Sequence, residues 1–220
     1  MKPFADSEQG LVESLPLLSR LALAYAPAAI REEWLTLLAL DARLATILRQ
    51  AKEPMLAQLR LAWWRDRLTQ PVAERPKGEP LLARLVAWPN AGAEFVPLVD
   101  GWEALLAEPP LDAAAFITFA NGRIAALAAL AQLLGLDVGL AQSRARRWAL
   151  ADLALHVQDP QEKVRARALA DQAPAGRGRC PKALRPLAIL EHLSVAADKR
   201  GGDLSPFTLF SALRIGLIGL

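Results

Sequence analysis

The sequence predicts an all-α fold built as a single compact multi-helix domain, and three observations carry that expectation. Alanine and leucine supply most of an apolar fraction of 53%, and both favour helix over other conformations. Aromatic residues reach only 6%, with Tyr25 the one tyrosine, and β-branched residues are sparse, which disfavours strands. Apolar positions also recur at the 3.6-residue spacing of a buried helical face rather than in the alternation of a strand. A chain of 220 residues with mean hydropathy +0.20 can bury a full core, and this composition excludes a disordered chain.

The first ten residues, MKPFADSEQG, lack an apolar core segment and read as a short polar leader rather than a signal peptide. The spacing then predicts a helix over 27–51. Pro27 suits its first turn, and Ile30, Trp34, Leu37, Leu38, Leu44, Ala45 and Leu48 form one apolar face. Asp41 falls on that same face. A carboxylate there needs a partner or a polar cavity, because burying it alone is costly. It is therefore either satisfied by a hydrogen bond or an arginine, or turned towards a cavity.

Glu53-Pro54 opens a second helix to about Leu68, with an expected core face of Met55, Leu59, Ala62 and Trp63. Trp64 cannot point the same way as Trp63, so one of the two packs against a neighbouring element. Residues 70–80 form a loop rich in proline and charge. Helices are expected over about 80–88, closed by Pro89-Asn90, and over about 93–107, closed by Pro109-Pro110. Asp112 is a good N-cap for a long helix to about Leu134, with Gly135 as its stop. Around Gly122 that helix is dense in small residues, which suits close helix packing or leaves room for a ligand. Further helices are expected from about Leu140 to His156, after Asp159-Pro160, over about 181–199 and over about 206–218. The stretch 172–181 reads as the longest flexible one, and Arg200-Gly201-Gly202-Asp203 as a turn. Nine or ten helices with short connections, no domain-sized linker and no fixed-period repeat make one domain over 1–220, not a solenoid.

Charge and cysteine content exclude several classes. The formal charge is +3, and 20 of the 26 basic residues are arginine. They are interleaved with acids along the chain, so no nucleic-acid stripe stands out. The arginine bias fits GC-rich coding, or planar forks placed on phosphate or diphosphate. Cys180 is the one cysteine and His156 and His192 the two histidines, which excludes an intrachain disulfide and makes a poor zinc set. No uninterrupted apolar run reaches the roughly 18 to 20 residues that span a bilayer. The expectation is a cytoplasmic protein, with an apolar C-terminal stretch from Phe207 to Leu220 that docks on the core or touches the inner face of a membrane.

Several blocks resemble the squalene/phytoene synthase family. Tyr25-Ala26-Pro27 and Leu37-Leu38-Ala39-Leu40 are similar to its N-terminal helix. The block from Glu53 to Asp66, containing Leu61-Ala62-Trp63-Trp64-Arg65, resembles a bacterial branch related to a mitochondrial complex I assembly factor of that superfamily. Val99-Asp100-Gly101 and the small-residue helix near Gly122 fall where the family would place them. The resemblance covers about residues 15–160, and it implies a trans-isoprenyl diphosphate synthase-like fold.

It also implies where chemistry would lie. The family's enzymes hold Mg²⁺ between two aspartate-rich motifs on facing helices, and the metal ionises a prenyl diphosphate. Here Asp41 is followed at the corresponding positions by Ala45, Thr46 and Arg49, none of them acidic. The second motif would fall at Asp152, His156 and Asp159, with Asp159 also a plausible N-cap before Pro160. The resemblance therefore implies the fold with a degenerate metal clamp. Three roles follow: a non-catalytic protein that binds an isoprenoid or lipid or acts in assembly with a protein partner; a divergent prenyl transferase; or an adaptor with a filled core. In the second, Asp41, Asp152 and Asp159 hold a reduced Mg²⁺ set while Arg49 and Arg60 take the diphosphate.

Overall fold

The apolar middle of the chain forms the centre of the molecule. The computed structural model describes residues 8–174, 180–200, 203 and 205–219. Among these, eleven α-helices follow one another and there is no strand. They are α1 (Glu8–Ser14), α2 (Leu17–Leu23), α3 (Arg31–Gln50), α4 (Pro54–Thr69), α5 (Pro80–Leu85), α6 (Val96–Ala104), α7 (Ala113–Leu133), α8 (Val138–His156), α9 (Pro160–Gln172), α10 (Arg185–Lys199) and α11 (Pro206–Ile218). Helix α7 lies between α6 and α8, while α8 also packs on α9 and α10, and α10 on α2 and α11. Helix α3 touches α1, α2, α4, α5, α6 and α7. One hydrophobic core runs continuously from Leu11 to Ala212.

Short polar devices set the helix ends. Asp112 accepts from the Ala115 amide at 2.8 Å, and Asp159 accepts from those of Gln161 and Glu162, which satisfies first-turn donors that have no partner inside the helix. Arginines do the same for carbonyls. Arg31 donates to Leu23 O at 2.7 Å, and Arg185 to Gly216 O and Leu217 O at the end of α11. Arg75, within the proline-rich loop, is buried and donates to the carbonyls of Leu68, Gln70 and Ala91. Part of the arginine excess is thus structural: a planar fork reaches several carbonyls at once.

Glycine lets α6 and α7 pack closely. A Cβ on Gly122 of α7 would lie 2.4 Å from the Pro97 carbonyl oxygen of α6, and one on Gly101 would lie 3.1 Å from Phe119 O. The small residues near Gly122 serve close packing rather than an open space. By length and composition α7 could cross a membrane, yet its middle is enclosed by α6 and α8 and carries a charged residue, Arg123.

Several expectations need correction. Two short helices precede residue 27, and α1 begins within the expected leader, with Leu11 buried. At two turns each they are too short to show an apolar period. The segment 27–51 divides into a 3₁₀ turn, Ala28–Ile30, and α3. The helix expected over 80–88 ends at Leu85, and the one expected over 93–107 stops at Ala104 following a 3₁₀ turn over Ala93–Phe95. On α4 the buried face is Ala57, Leu61, Trp64 and Leu68, whereas Met55, Leu59 and Trp63 are exposed. The helix is apolar on two opposite sides, and periodicity does not say which of them meets the core. Residues 1–7 of the leader, 175–179 of the flexible-looking stretch and Gly201-Gly202 of the turn lie outside the described residues.

Candidate functional site

Three helices converge on one buried guanidinium. Arg123, in the middle of α7, is 4% exposed. It grips Asp41 of α3 with two bonds, Nη2 to Oδ2 at 2.8 Å and Nε to Oδ1 at 3.2 Å, and reaches Asp152 of α8 through Nη1 at 2.6 Å. Trp102 of α6 donates its indole N–H to Asp41 Oδ1 at 2.8 Å. The Arg123 guanidinium carbon also lies 4.3 Å from the Trp148 ring centre, 4.7 Å from that of Phe119 and 5.3 Å from that of Trp102. Charge-assisted bonds of this geometry are the strong kind, and the ring faces add cation–π attraction.

Local sequence explains the convergence. The Gly101–Gly122 approach lets α6 lie against α7, so the neighbouring Trp102 and Arg123 meet over Asp41. Burial is the largest single influence on Arg123 and acts to lower its pKa; the charges and hydrogen bonds of Asp41 and Asp152 together outweigh it and raise the group above the usual arginine range. The side chain is therefore a fixed cation.

The residues singled out from sequence divide into two sets. Asp41 and Asp152, 111 positions apart in the chain, meet through Arg123. Of the other four, His156 reaches the edge of this centre, with Nδ1 3.8 Å from Asp152 Oδ1, and Arg49, Arg60 and Asp159 stay outside it. Arg49 is exposed near the end of α3 and bonds Thr46. Arg60 is exposed on α4 and lines an outer groove of about 390 Å³ with Arg43, Ile47, Trp63 and Trp64. His156, the last residue of α8, is exposed, and its Nδ1 bonds its own helix at Asp152 O. Asp159 is occupied as the N-cap of α9. Arg49 and Arg60 both stand on outward sides of their helices, away from the Asp41–Arg123–Asp152 centre.

Sequence reading missed Arg123, Trp102 and Trp148. The available signal was a single charge, Arg123, inside the 21 residues of α7, which must find acids when it is buried. A Mg²⁺ clamp does not fit these residues. The carboxylates that would face the metal already bind a guanidinium, and no group of three or more His, Cys, Asp or Glu suited to a metal occurs among the described residues.

A second ionic cluster lies between α8 and α10. Arg144 and Glu191 pair at 2.7 Å, and Arg147 approaches the same carboxylate at 3.9 Å. Burial pushes Glu191 up, against the pull of Arg144 and Arg147. This cluster joins two helices, and its Arg147 also lines a groove of about 190 Å³ with Ala151, Arg167, Val195, Asp198 and Lys199. The chain matches no protein-family model, and neither curated proteins nor solved structures give a significant match.

Proposed function

We propose that this protein is a non-catalytic relative of the squalene/phytoene synthases, with a trans-isoprenyl diphosphate synthase-like helical fold, and that it works by recognition at its outer surface. One observation carries the reading: the Arg123 guanidinium sits between Asp41 and Asp152, the two carboxylates that the resemblance assigns to opposite metal motifs. An arginine here supplies a permanent positive charge where the enzymes would use exchangeable Mg²⁺. It stabilises the bundle and leaves no vacant coordination position for a diphosphate.

The surroundings support this in two ways. The rings of Trp102, Phe119 and Trp148 pack around the guanidinium, so the interior position is filled by side chains. Recognition then falls to the surface, where α4 and α11 carry exposed apolar side chains. That suits an assembly-type or lipid-recognising protein better than a prenyl transferase.

Isothermal titration with farnesyl diphosphate, with and without Mg²⁺, tests the reading alongside a prenyl condensation assay. The expected result is no Mg²⁺-dependent binding and no condensation product. Magnesium-dependent binding that disappears in Asp41→Asn or Asp152→Asn would overturn it in favour of a divergent prenyl transferase.

A further inference from the structure

Helix α4 has two apolar faces, and the fold uses one. Ala57, Leu61, Trp64 and Leu68 enter the core. On the opposite side Met55 is 68% exposed, Leu59 63% and Trp63 38%, with Leu56 beside them at 46%. Positions 55, 59 and 63 stack one above another on a helix, so these side chains form a continuous outward stripe. Exposed apolar side chains scattered singly need no explanation, whereas a contiguous set marks an interaction surface.

The charge around the stripe identifies the occupant. Arg60 flanks it and lines the adjoining groove with Trp63 and Trp64. Lys52 and Arg49 are exposed at the α3–α4 turn, where Arg49 donates to the Thr46 hydroxyl. Among the described residues neither Lys52 nor Arg60 has an ion-pair or hydrogen-bond partner. The nearby acids are Glu53, before the first turn, Asp66, at the far end of the stripe, Glu79, which already pairs with Arg43 at 3.5 Å, and Asp100 and Glu103, both held by Arg65 of α4. The face is thus apolar along its centre and positive on its Arg60 side. A tryptophan at its edge joins an apolar body to a polar N–H, as at membrane–water interfaces.

We propose that the outward face of α4, with the Arg60 groove beside it, docks on a membrane surface carrying anionic lipid headgroups. Four apolar side chains make too small a core for a stable protein interface, which takes about 20–30 residues a side. They are enough for a helix lying in the headgroup region, where a short apolar face and nearby cations act together. This deepens the surface-acting reading above, and its test is independent of that one: a protein could bind vesicles and still condense prenyl diphosphates, or do neither.

The experiment is co-sedimentation of the full chain with vesicles of phosphatidylcholine alone and of phosphatidylcholine mixed with phosphatidylglycerol. The expected result is binding to the anionic vesicles only, and its loss on raising salt to about 0.5 M, where surface charge is screened. Met55→Asp with Leu59→Asp should weaken binding at least about tenfold. Arg60→Glu should weaken it about fivefold or more. All three positions are exposed, so the variants should keep the native helical circular dichroism. Val164→Asp, on the exposed side of α9, is the control and should bind as the parent does. Absence of binding to either vesicle overturns the proposal. So does binding lost in Phe210→Asp, on the exposed apolar side of α11, but kept in the α4 double variant. A concentration-dependent dimer that Met55→Asp with Leu59→Asp dissociates, without vesicle binding, assigns the face to a second copy of the chain instead.

Discussion

Replacing Arg123 by methionine removes the cation and leaves most of the side-chain volume. Its side chain is 5% exposed, and those of Asp41 and Asp152 are 10% and 17%. Two carboxylates would then face each other in the interior, with only the Trp102 N–H still donating to Asp41. Breaking a buried pair by removing one partner costs about 3–5 kcal/mol, a large part of a total stability of about 5–15 kcal/mol. For a chain of this size that loss lowers the melting temperature by about 6–20 °C. Thermal unfolding followed by circular dichroism reads the effect. Arg123→Lys keeps the charge without the fork and should fall between the two. Adding Asp41→Asn and Asp152→Asn to Arg123→Met removes the stranded charges and should recover more than half of the loss. A drop under about 2 °C in Arg123→Met would refute the argument, since it would mean a cost below about 1 kcal/mol.

Three further outcomes follow from the packing. Gly122→Ala forces α6 and α7 apart, because its Cβ would meet Pro97 O at 2.4 Å; urea denaturation should show a loss of about 1–3 kcal/mol. Trp64→Ala should cost about 3–5 kcal/mol and Trp63→Ala under about 1 kcal/mol, because Trp64 is in the core and Trp63 faces out; equal losses would contradict the orientation of α4. His192 contributes one limb of the pH dependence. Burial pushes its pKa down, a hydrogen bond to the Thr208 backbone partly offsets this, and Arg214 pushes the same way as burial. The unfolded chain therefore takes up a proton before the folded one does. Stability should fall as pH drops below about 6.5, by up to about 1.4 kcal/mol per pH unit. His192→Gln should flatten that limb in denaturation series taken between about pH 7 and 5.

The helical character of the chain, and most helix boundaries after residue 27, were legible in its residues. Asp112 and Asp159 cap the helices that their positions suggested, because capping is local: a side chain bonds an amide two or three residues on. The long helix around Gly122 was legible for a similar reason, since composition over twenty residues outweighs any single position. The orientation of α4 was not. Both of its sides are apolar at helical spacing, and only contact with α3 and α6 selects Trp64 over Trp63.

The candidate centre divides in the same way. Asp41 on an apolar helix face already required a partner or a cavity, and it could be named from sequence on that ground alone. That the partner is Arg123, 82 positions away, and that Asp152 shares it, depends on how α3, α7 and α8 come together. Local chemistry fixes which segments are helical and which charges cannot be buried alone. Tertiary packing decides which apolar face goes inward and which cation answers a buried acid, because both depend on neighbours far apart in the chain.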